Sequence, residues 1–158
     1  MKTIIYISII TFCLQACKDN KVSLKAADQT VTTDTARING VLLELTDHNG
    51  IGKLKITPDT YKLSGNIKIK SPCYFLRHNG KVSSYAYPQF NIQNTLIILG
   101  NTKKDSLNKN YGTEIQGILF KNDSIKIAGT LKNYSPIYAE TGVDEKDYWG
   151  FASGTYKN

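Results

Sequence analysis

Nucleophilic catalysis would need a thiol or hydroxyl beside a base, and the sequence offers one pairing to weigh, Cys73 with His78. A reactive cysteine requires a nearby base or positive charge that favours its thiolate. Cys73 instead lies in an apolar stretch between Pro72 and Phe75, which predicts a small buried hydrophobic side chain. His48 has no serine in a Gly-x-Ser-x-Gly elbow to activate. We therefore predict no catalytic residue and no enzyme.

Carboxylates are concentrated near the carboxyl end, at Glu140, Asp144, Glu145 and Asp147. They do not follow the spacing of a calcium-binding loop. Histidine and cysteine are too sparse for a zinc site. The pattern predicts a solvated acidic loop, with no metal and no cofactor. An acidic patch could also block a cationic site, which keeps an immunity or inhibitor protein open as an alternative.

Tyrosines are the residues most typical of a binding surface, because each ring combines an apolar body with a polar tip. Tyr85 and Tyr87 share one face of a predicted strand, and Tyr148 lies in an aromatic-rich terminal region. We take these three as candidates for a platform that stacks a sugar or a peptide side chain. Trp149 and Phe151, two residues apart, are predicted to close the core as a final strand.

The first residues have the layout of a secretory signal, in which Lys2 precedes the short apolar run Thr3–Cys13. The run is too short for a transmembrane helix, which needs about 20 apolar residues. Leu14-Gln15-Ala16-Cys17 follows directly and resembles the lipobox of bacterial lipoproteins. The resemblance implies that residues 1–16 are a signal peptide and that Cys17 carries fatty acyl chains such as palmitate.

That resemblance implies a protein held in the cell envelope by acylated Cys17, facing the periplasm or the cell surface. Two or three acyl chains bind a membrane stably, whereas one does so only marginally. Loss of Lys2 takes the formal net charge from +7 to +6. A basic chain in this compartment suits an anionic glycan, a lipid headgroup or an acidic protein partner, and we predict no nucleic-acid partner.

Hydrophobic periodicity in the rest of the chain is two, which is typical of β-strands. The clearest case is Tyr61–Ile69, where apolar and polar residues alternate, and the runs Val41–Thr46 and Thr95–Leu99 predict strands covered on both faces. Asn-Gly and similar turn signals separate the runs. We predict an all-β fold without helices, an antiparallel meander of about seven to nine strands. It would form a small barrel or a two-sheet sandwich, and a barrel would leave room for a lipocalin-like carrier.

Lysines mark one face of two of these predicted strands, Lys53 and Lys55 on the first and Lys62, Lys68 and Lys70 on the second. A hairpin turn at Pro58-Asp59 would pair the strands and bring the five lysines together. We take them as a candidate binding face for an anionic partner. The alternative is that they only protect a strand edge.

Residues 17–36 are polar and carry no apolar period, which predicts a flexible tether after the lipid. Residues 37–158 are then a single β-rich domain of ordinary size. With Cys73 as its only cysteine, that domain can have no internal disulfide. The expected function is that of a membrane-anchored binding module without catalytic activity.

Overall fold

The computed structural model describes residues 30–157, which form an all-β sandwich with one short helix. Six strands of seven or more residues carry most of the fold: β1 (Thr30–Ile38), β2 (Val41–His48), β3 (Ile51–Thr57), β9 (Ile92–Gly100), β12 (Glu114–Lys121) and β13 (Ser124–Leu131). The short strands are β4 (Lys62–Ser64), β5 (Tyr74–Phe75), β6 (Arg77–His78), β7 (Lys81–Val82), β8 (Tyr85–Tyr87), β10 (Lys103–Lys104), β11 (Asn110–Gly112) and β14 (Ile137–Tyr138). Helix α1 is Glu145–Ser153, and a 3₁₀ turn spans Pro88–Phe90.

A central sheet organises the molecule, with strand order β4-β13-β12-β9-β5 and β8 also paired with β9. The small sheet β1-β2-β3 covers one face of the central sheet, and two further groups, β10-β11-β14 and β6-β7, complete the fold. Neighbouring strands are antiparallel except β4 and β13. No sheet of residues 30–157 closes into a barrel. The sandwich prediction is therefore confirmed and the barrel alternative is wrong, which removes the architectural basis for a lipocalin-like carrier.

Type I′-like turns connect the strands where the sequence predicts them. Asn49 and Gly50, between β2 and β3, have φ of 53° and 83°, and Asn79 and Gly80, between β6 and β7, have 50° and 74°. Positive φ at both central residues matches the twist of the flanking strands. The turn at Pro58-Asp59 is different, since β3 pairs with β2 and not with β4.

Apolar residues cover both faces of the central sheet. Leu96 and Ile98 of β9 pack toward the small sheet, whereas Ile97 and Leu99 pack toward α1. The continuous apolar run in β9 therefore belongs to a strand covered on both sides, as predicted. The run in β2 does not, because its side chains alternate between buried and half-buried.

The domain begins earlier than the sequence indicates. β1 starts at Thr30 and pairs with β2 along its length, so the predicted boundary at Arg37 is wrong. Threonine and aspartate made residues 30–36 look like a tether, although threonine is a good strand former. The predicted signal peptide, Cys17 and the remainder of the predicted tether lie outside the described residues.

A helix replaces the predicted terminal strand. Tyr148, Phe151 and Ala152 are buried at helical spacing, whereas Trp149 is 45% exposed. The prediction that Phe151 closes the core is correct, but the same prediction for Trp149 and the predicted final strand are wrong, and no pattern in the sequence indicated this helix. The helix has nine residues, too few for its period to be distinguished from the alternation of a strand.

Candidate functional site: a groove along an edge strand

The outer edge of β3 is open along most of its length. In the small sheet β3 pairs with β2 on one side, and on its other side the described residues supply only a single bridge, from Ile51 to Lys70. Opposite this edge lies β4, the terminal strand of the central sheet, which pairs with β13 alone. Two sheet edges therefore face each other across an opening in the side of the sandwich.

Residues 66–70 cross this opening without joining either sheet as a strand. The buried side chain of Gln116 accepts a hydrogen bond from the Lys68 amide at 2.8 Å and donates to the Asn66 carbonyl oxygen at 3.2 Å. The carboxylate of Glu114 accepts from the Lys70 amide at 2.8 Å. Side chains of β12 thus satisfy backbone groups that would otherwise need a neighbouring strand, so only Lys62–Ser64 of the predicted strand Tyr61–Ile69 is a strand.

Close packing fixes the floor of the opening. A Cβ atom on Gly52 would lie 2.9 Å from Ile67 Cγ2, and Gly65, with φ of +84°, would place one 2.7 Å from the carbonyl oxygen of Ile127. Side chains at these two positions would push the crossing segment away from the sheets. The glycines therefore hold β3, residues 65–67 and β13 at a fixed separation.

Two adjoining pockets run along the opening, and we call them together the β3 groove. The first, of about 310 Å³, is lined mainly by apolar residues, including Ile51, Leu54, Leu63 and Ile67. The second, of about 210 Å³, shares Ile51 and Ile67 and extends to Lys70. Ile51 is 59% exposed and Leu63 is 37% exposed. The groove therefore presents apolar surface to the exterior beside an unpaired strand edge.

Three of the five lysines predicted as one binding face line this groove, although not through the predicted hairpin. The predicted β3–β4 hairpin is wrong, so the lysines do not share one sheet. Lys53 lines the first pocket, and Lys68 and Lys70 line the second. Lys55 and Lys62 are exposed on the two facing strands, and Lys55 forms a 3.3 Å ion pair with Glu44. No carboxylate of the described residues lines either pocket.

The tyrosine platform is not formed, because its members face the interior. Tyr148 is fully buried, its ring centroid 4.6 Å from that of Tyr85, and the hydroxyl of buried Tyr87 donates to the Glu145 carbonyl oxygen at 3.3 Å. Burial raises the pKa of Tyr87 and of Tyr148 to about 12. The structure brings the three tyrosines together, but as packing between β8 and α1.

The acidic stretch is only partly solvated. Asp147 is 2% exposed and accepts hydrogen bonds from the hydroxyls of Tyr134 at 2.7 Å and Tyr156 at 3.0 Å. Burial, then the bond to Asp147, raises the pKa of each of these tyrosines. Glu140, Asp144 and Glu145 remain exposed. Asp147 therefore anchors α1 and does not add to the exposed acidic residues of this stretch.

Cys73 is buried, as predicted, and does not pair with His78. The thiol is 1% exposed, whereas His78 is exposed at the end of the β6–β7 hairpin. Burial first, then the nearby charges of Asp47 and Glu114, raises the pKa of Cys73 to about 12. A thiol in that environment is not a nucleophile at neutral pH.

Nothing among the described residues gathers three or more histidine, cysteine or carboxylate side chains into a metal-binding group. None of the helices in residues 30–157 is long and apolar enough to cross a membrane. No protein-family model, curated protein or solved structure matches the chain.

Proposed function

We propose that this protein is a lipid-anchored lipoprotein of the bacterial cell envelope, and that it acts as a non-catalytic module that binds an extended, acidic segment of a partner protein along β3. The observation that carries the binding proposal is the edge of β3, unpaired beyond its bridge at Ile51, above an apolar groove lined by lysines.

An unpaired strand edge binds extended peptides by adding them to its sheet. Main-chain hydrogen bonds give affinity, and alternate side chains of the peptide enter pockets beside the edge. Ile51, the first of the seven residues of β3, is bridged to Lys70, so the remaining six at about 3.3 Å per residue offer a free edge of roughly 20 Å. Every second side chain of a bound peptide would face the apolar lining formed by Ile51, Leu54 and Leu63.

The expected negative charge of the partner follows from the lysines that line the β3 groove. Lys53, Lys68 and Lys70 line it, and among the described residues none of these three forms an ion pair. Acidic side chains at the alternate, outward positions of the peptide would neutralise them. Complementary charge of this kind raises the association rate and selects the partner. Lysines beside a strand edge also discourage unwanted pairing, because like charges brought together there repel one another. An acidic peptide would neutralise these charges, whereas a neutral peptide would not.

The anchor part of the proposal is supported by the lipobox-like Leu14-Gln15-Ala16-Cys17 after a short apolar run. Residues 18–29 would lie between the acylated Cys17 and the first strand. The domain would then be held close to the membrane, where partner proteins of the envelope are met.

Peptide binding tests the proposal directly. The mature chain from position 17, with Cys17→Ser so that no lipid contributes, would be titrated into a fluorescein-labelled peptide of alternating glutamate and valine. We expect binding at low salt that weakens by at least about tenfold in the double variant Lys53→Glu/Lys68→Glu. The matched control is Lys103→Glu/Lys104→Glu, which changes two exposed lysines of β10 and should bind normally.

A backbone-methylated version of the same peptide separates strand addition from simple charge attraction. It keeps the carboxylates but lacks amide hydrogens, so it should bind at least about tenfold more weakly. Equal binding of the two peptides would overturn strand addition. An equal loss of peptide binding in Lys53→Glu/Lys68→Glu and in the β10 control would show that the peptide responds only to the net charge of the protein. Tighter binding to anionic vesicles than to the peptide would identify a lipid surface in place of a protein partner.

A further inference from the structure

Another pocket, separate from the β3 groove, lies on the opposite side of the central sheet, where α1 ends before it covers the sheet completely. It measures about 390 Å³, within the range of roughly 300 to 1,000 Å³ typical of small-molecule sites. Its floor is the helix-facing side of β12 and β13, including Leu119 and Ala128, and the last turn of α1 forms a wall. We call it the α1 pocket.

The walls of the α1 pocket are held firmly in place. Gly154 ends α1 with φ of 76° and turns the chain back toward the sheet. A Cβ on Gly129 would lie 2.1 Å from the Tyr156 carbonyl oxygen, and one on Gly150 would lie 2.4 Å from the Tyr156 ring. The terminal residues therefore press directly against β13 and α1. This close approach forms the pocket in the folded protein, with no rearrangement needed to open it.

Three lysines surround the pocket, and no acidic residue among the described part of the chain lines it. Lys121 and Lys126 come from the two strands of the β12–β13 hairpin, on the same face as Leu119 and Ala128. Lys157 follows α1, whose carboxyl end carries partial negative charge that offsets this lysine. The uncompensated charge therefore rests on Lys121 and Lys126, neither of which forms an ion pair within residues 30–157.

An apolar floor below two unpaired cations defines the chemistry of the ligand. Buried Ile92, Leu119 and Ala128 offer no hydrogen-bonding side chain, and the hydroxyls of Ser153 and Tyr156 on the wall already bond Gly150 and Asp147. The part of the ligand that reaches the floor therefore meets mainly hydrocarbon. The lysines at the hairpin end can hold an anionic group that stays near water. An uncharged hydrocarbon would gain nothing from the lysines, and a fully polar anion would gain nothing from the floor.

We propose that the α1 pocket binds a small amphiphilic anion, a molecule with one anionic group held by Lys121 and Lys126 and an apolar body seated between α1 and the central sheet. This site is separate from the β3 groove and does not depend on peptide binding there.

The protein contains its own reporter for this site. Trp149, the single tryptophan of the chain, packs edge-on against Phe90 with ring centroids 6.1 Å apart, and Phe90 lines the α1 pocket. Trp149 is 45% exposed, so its emission responds to changes in local polarity. A ligand seated against Phe90 should shift that emission.

Decanoate is a suitable probe, with decanol and decyltrimethylammonium as the neutral and cationic comparisons. The mature chain with Cys17→Ser would be titrated with each compound while Trp149 emission is followed, and calorimetry would confirm binding. We expect decanoate to bind at least about tenfold more tightly than decanol, and decyltrimethylammonium to bind most weakly. Lys121→Gln/Lys126→Gln should lose that preference, whereas Lys103→Gln/Lys104→Gln should keep it.

Circular dichroism and melting temperature would show that each variant is folded, and the β3-groove variant Lys53→Glu/Lys68→Glu should bind decanoate normally. Equal binding of decanoate and decanol, or an unchanged preference in Lys121→Gln/Lys126→Gln, would overturn the proposal. Absence of decanoate binding by both emission and calorimetry would overturn it as well, while leaving peptide binding at β3 unaffected.

Discussion

Arg77 and Asp34 form a bidentate ion pair between the first strand and the middle of the chain. Arg77 Nη1 lies 2.6 Å from Asp34 Oδ2, and Nη2 lies 2.7 Å from Oδ1. Oδ2 also accepts the Phe75 amide at 2.8 Å. The side chains are only 17% and 13% exposed. The pair therefore joins β1 to β5 and β6 across the side of the sandwich.

Removing one member of this pair should destabilise the protein strongly. Asp34→Ala leaves the Arg77 guanidinium half-buried without its carboxylate, and also frees the Phe75 amide. We expect a loss of about 2 to 4 kcal/mol in the free energy of unfolding, measured by urea denaturation. The matched control is the Glu44–Lys55 pair, whose lysine is 70% exposed, and Lys55→Ala should change stability by less than about 1 kcal/mol. Similar losses in both variants would contradict the importance of burial.

Truncation distinguishes the two possible starts of the domain. A fragment of residues 30–158 retains β1 and should unfold cooperatively. A fragment of residues 37–158 lacks most of β1, including Asp34, and exposes the edge of β2. We expect it to be much less stable or to aggregate, as followed by circular dichroism and light scattering. Equal melting temperatures would show that residues 30–36 do not belong to the folded unit.

Burial of Cys73 predicts a loss of stability at alkaline pH. The pKa in the folded protein is raised from 9.0 to about 12, so above about pH 9 the unfolded chain loses a proton that the folded protein keeps. The stabilisation is therefore complete below pH 9 and decreases as the pH rises toward 12. One proton corresponds to a slope of about 1.4 kcal/mol per pH unit.

Urea unfolding from about pH 8 to about pH 10 would measure this slope as the difference between the wild type and Cys73→Ala, because the buried tyrosines contribute to both proteins as the pH approaches 10. Cys73→Ala is the control, since its stability should vary less over that interval whatever its absolute value. The native thiol should also resist thiol reagents at pH 8 and react only on unfolding. Rapid reaction of the native protein would contradict the buried environment.

Lipidation is tested at Cys17. In cells of a bacterium that processes lipoproteins, the wild-type chain should incorporate labelled palmitate and partition into detergent. Cys17→Ser should do neither, because the acyl acceptor is gone. Cys13→Ser is the matched control, as it alters a cysteine inside the predicted signal peptide and should leave labelling intact. Labelled Cys17→Ser protein would show that the anchor prediction is wrong.

The alternation of apolar and polar residues predicts which side chains face the interior. It predicts less well which strands pair with each other. Residues 67 and 69 of the predicted strand Tyr61–Ile69 do pack inward. The backbone groups of residues 66, 68 and 70, however, bond the side chains of Gln116 and Glu114, which are distant in sequence. No local pattern indicates such partners, so the strand and the β3–β4 hairpin could not be judged from periodicity alone.

For the candidate sites too, the sequence indicates which types of residue take part but not where they lie in the fold. The lysines of β3 and of residues 62–70 were found because charged residues alternate with apolar ones, yet the groove between them depends on where sheets end. The α1 pocket was missed because its lysines come from one hairpin and its wall from a helix that was not predicted. Lys121 and Lys126 flank the dipeptide Asn122-Asp123, whose residue types are typical of a turn, and this is the one signal in the sequence that draws attention to them.

The hydrogen bonds of Gln116 determine which positions of residues 66–70 can be mutated without moving the backbone. Its primary amide bonds the backbone groups of residues 66 and 68, the pair that a peptide unit of an adjacent strand would bond. The side chains that fix the backbone position of residues 66–70 therefore belong to β12, inside the protein, and not to the segment itself. Exposed positions such as Lys68 and Lys70 can change without the segment slipping. Mutations at such positions can thus change which partner the β3 groove binds, while the backbone of residues 66–70 stays in place.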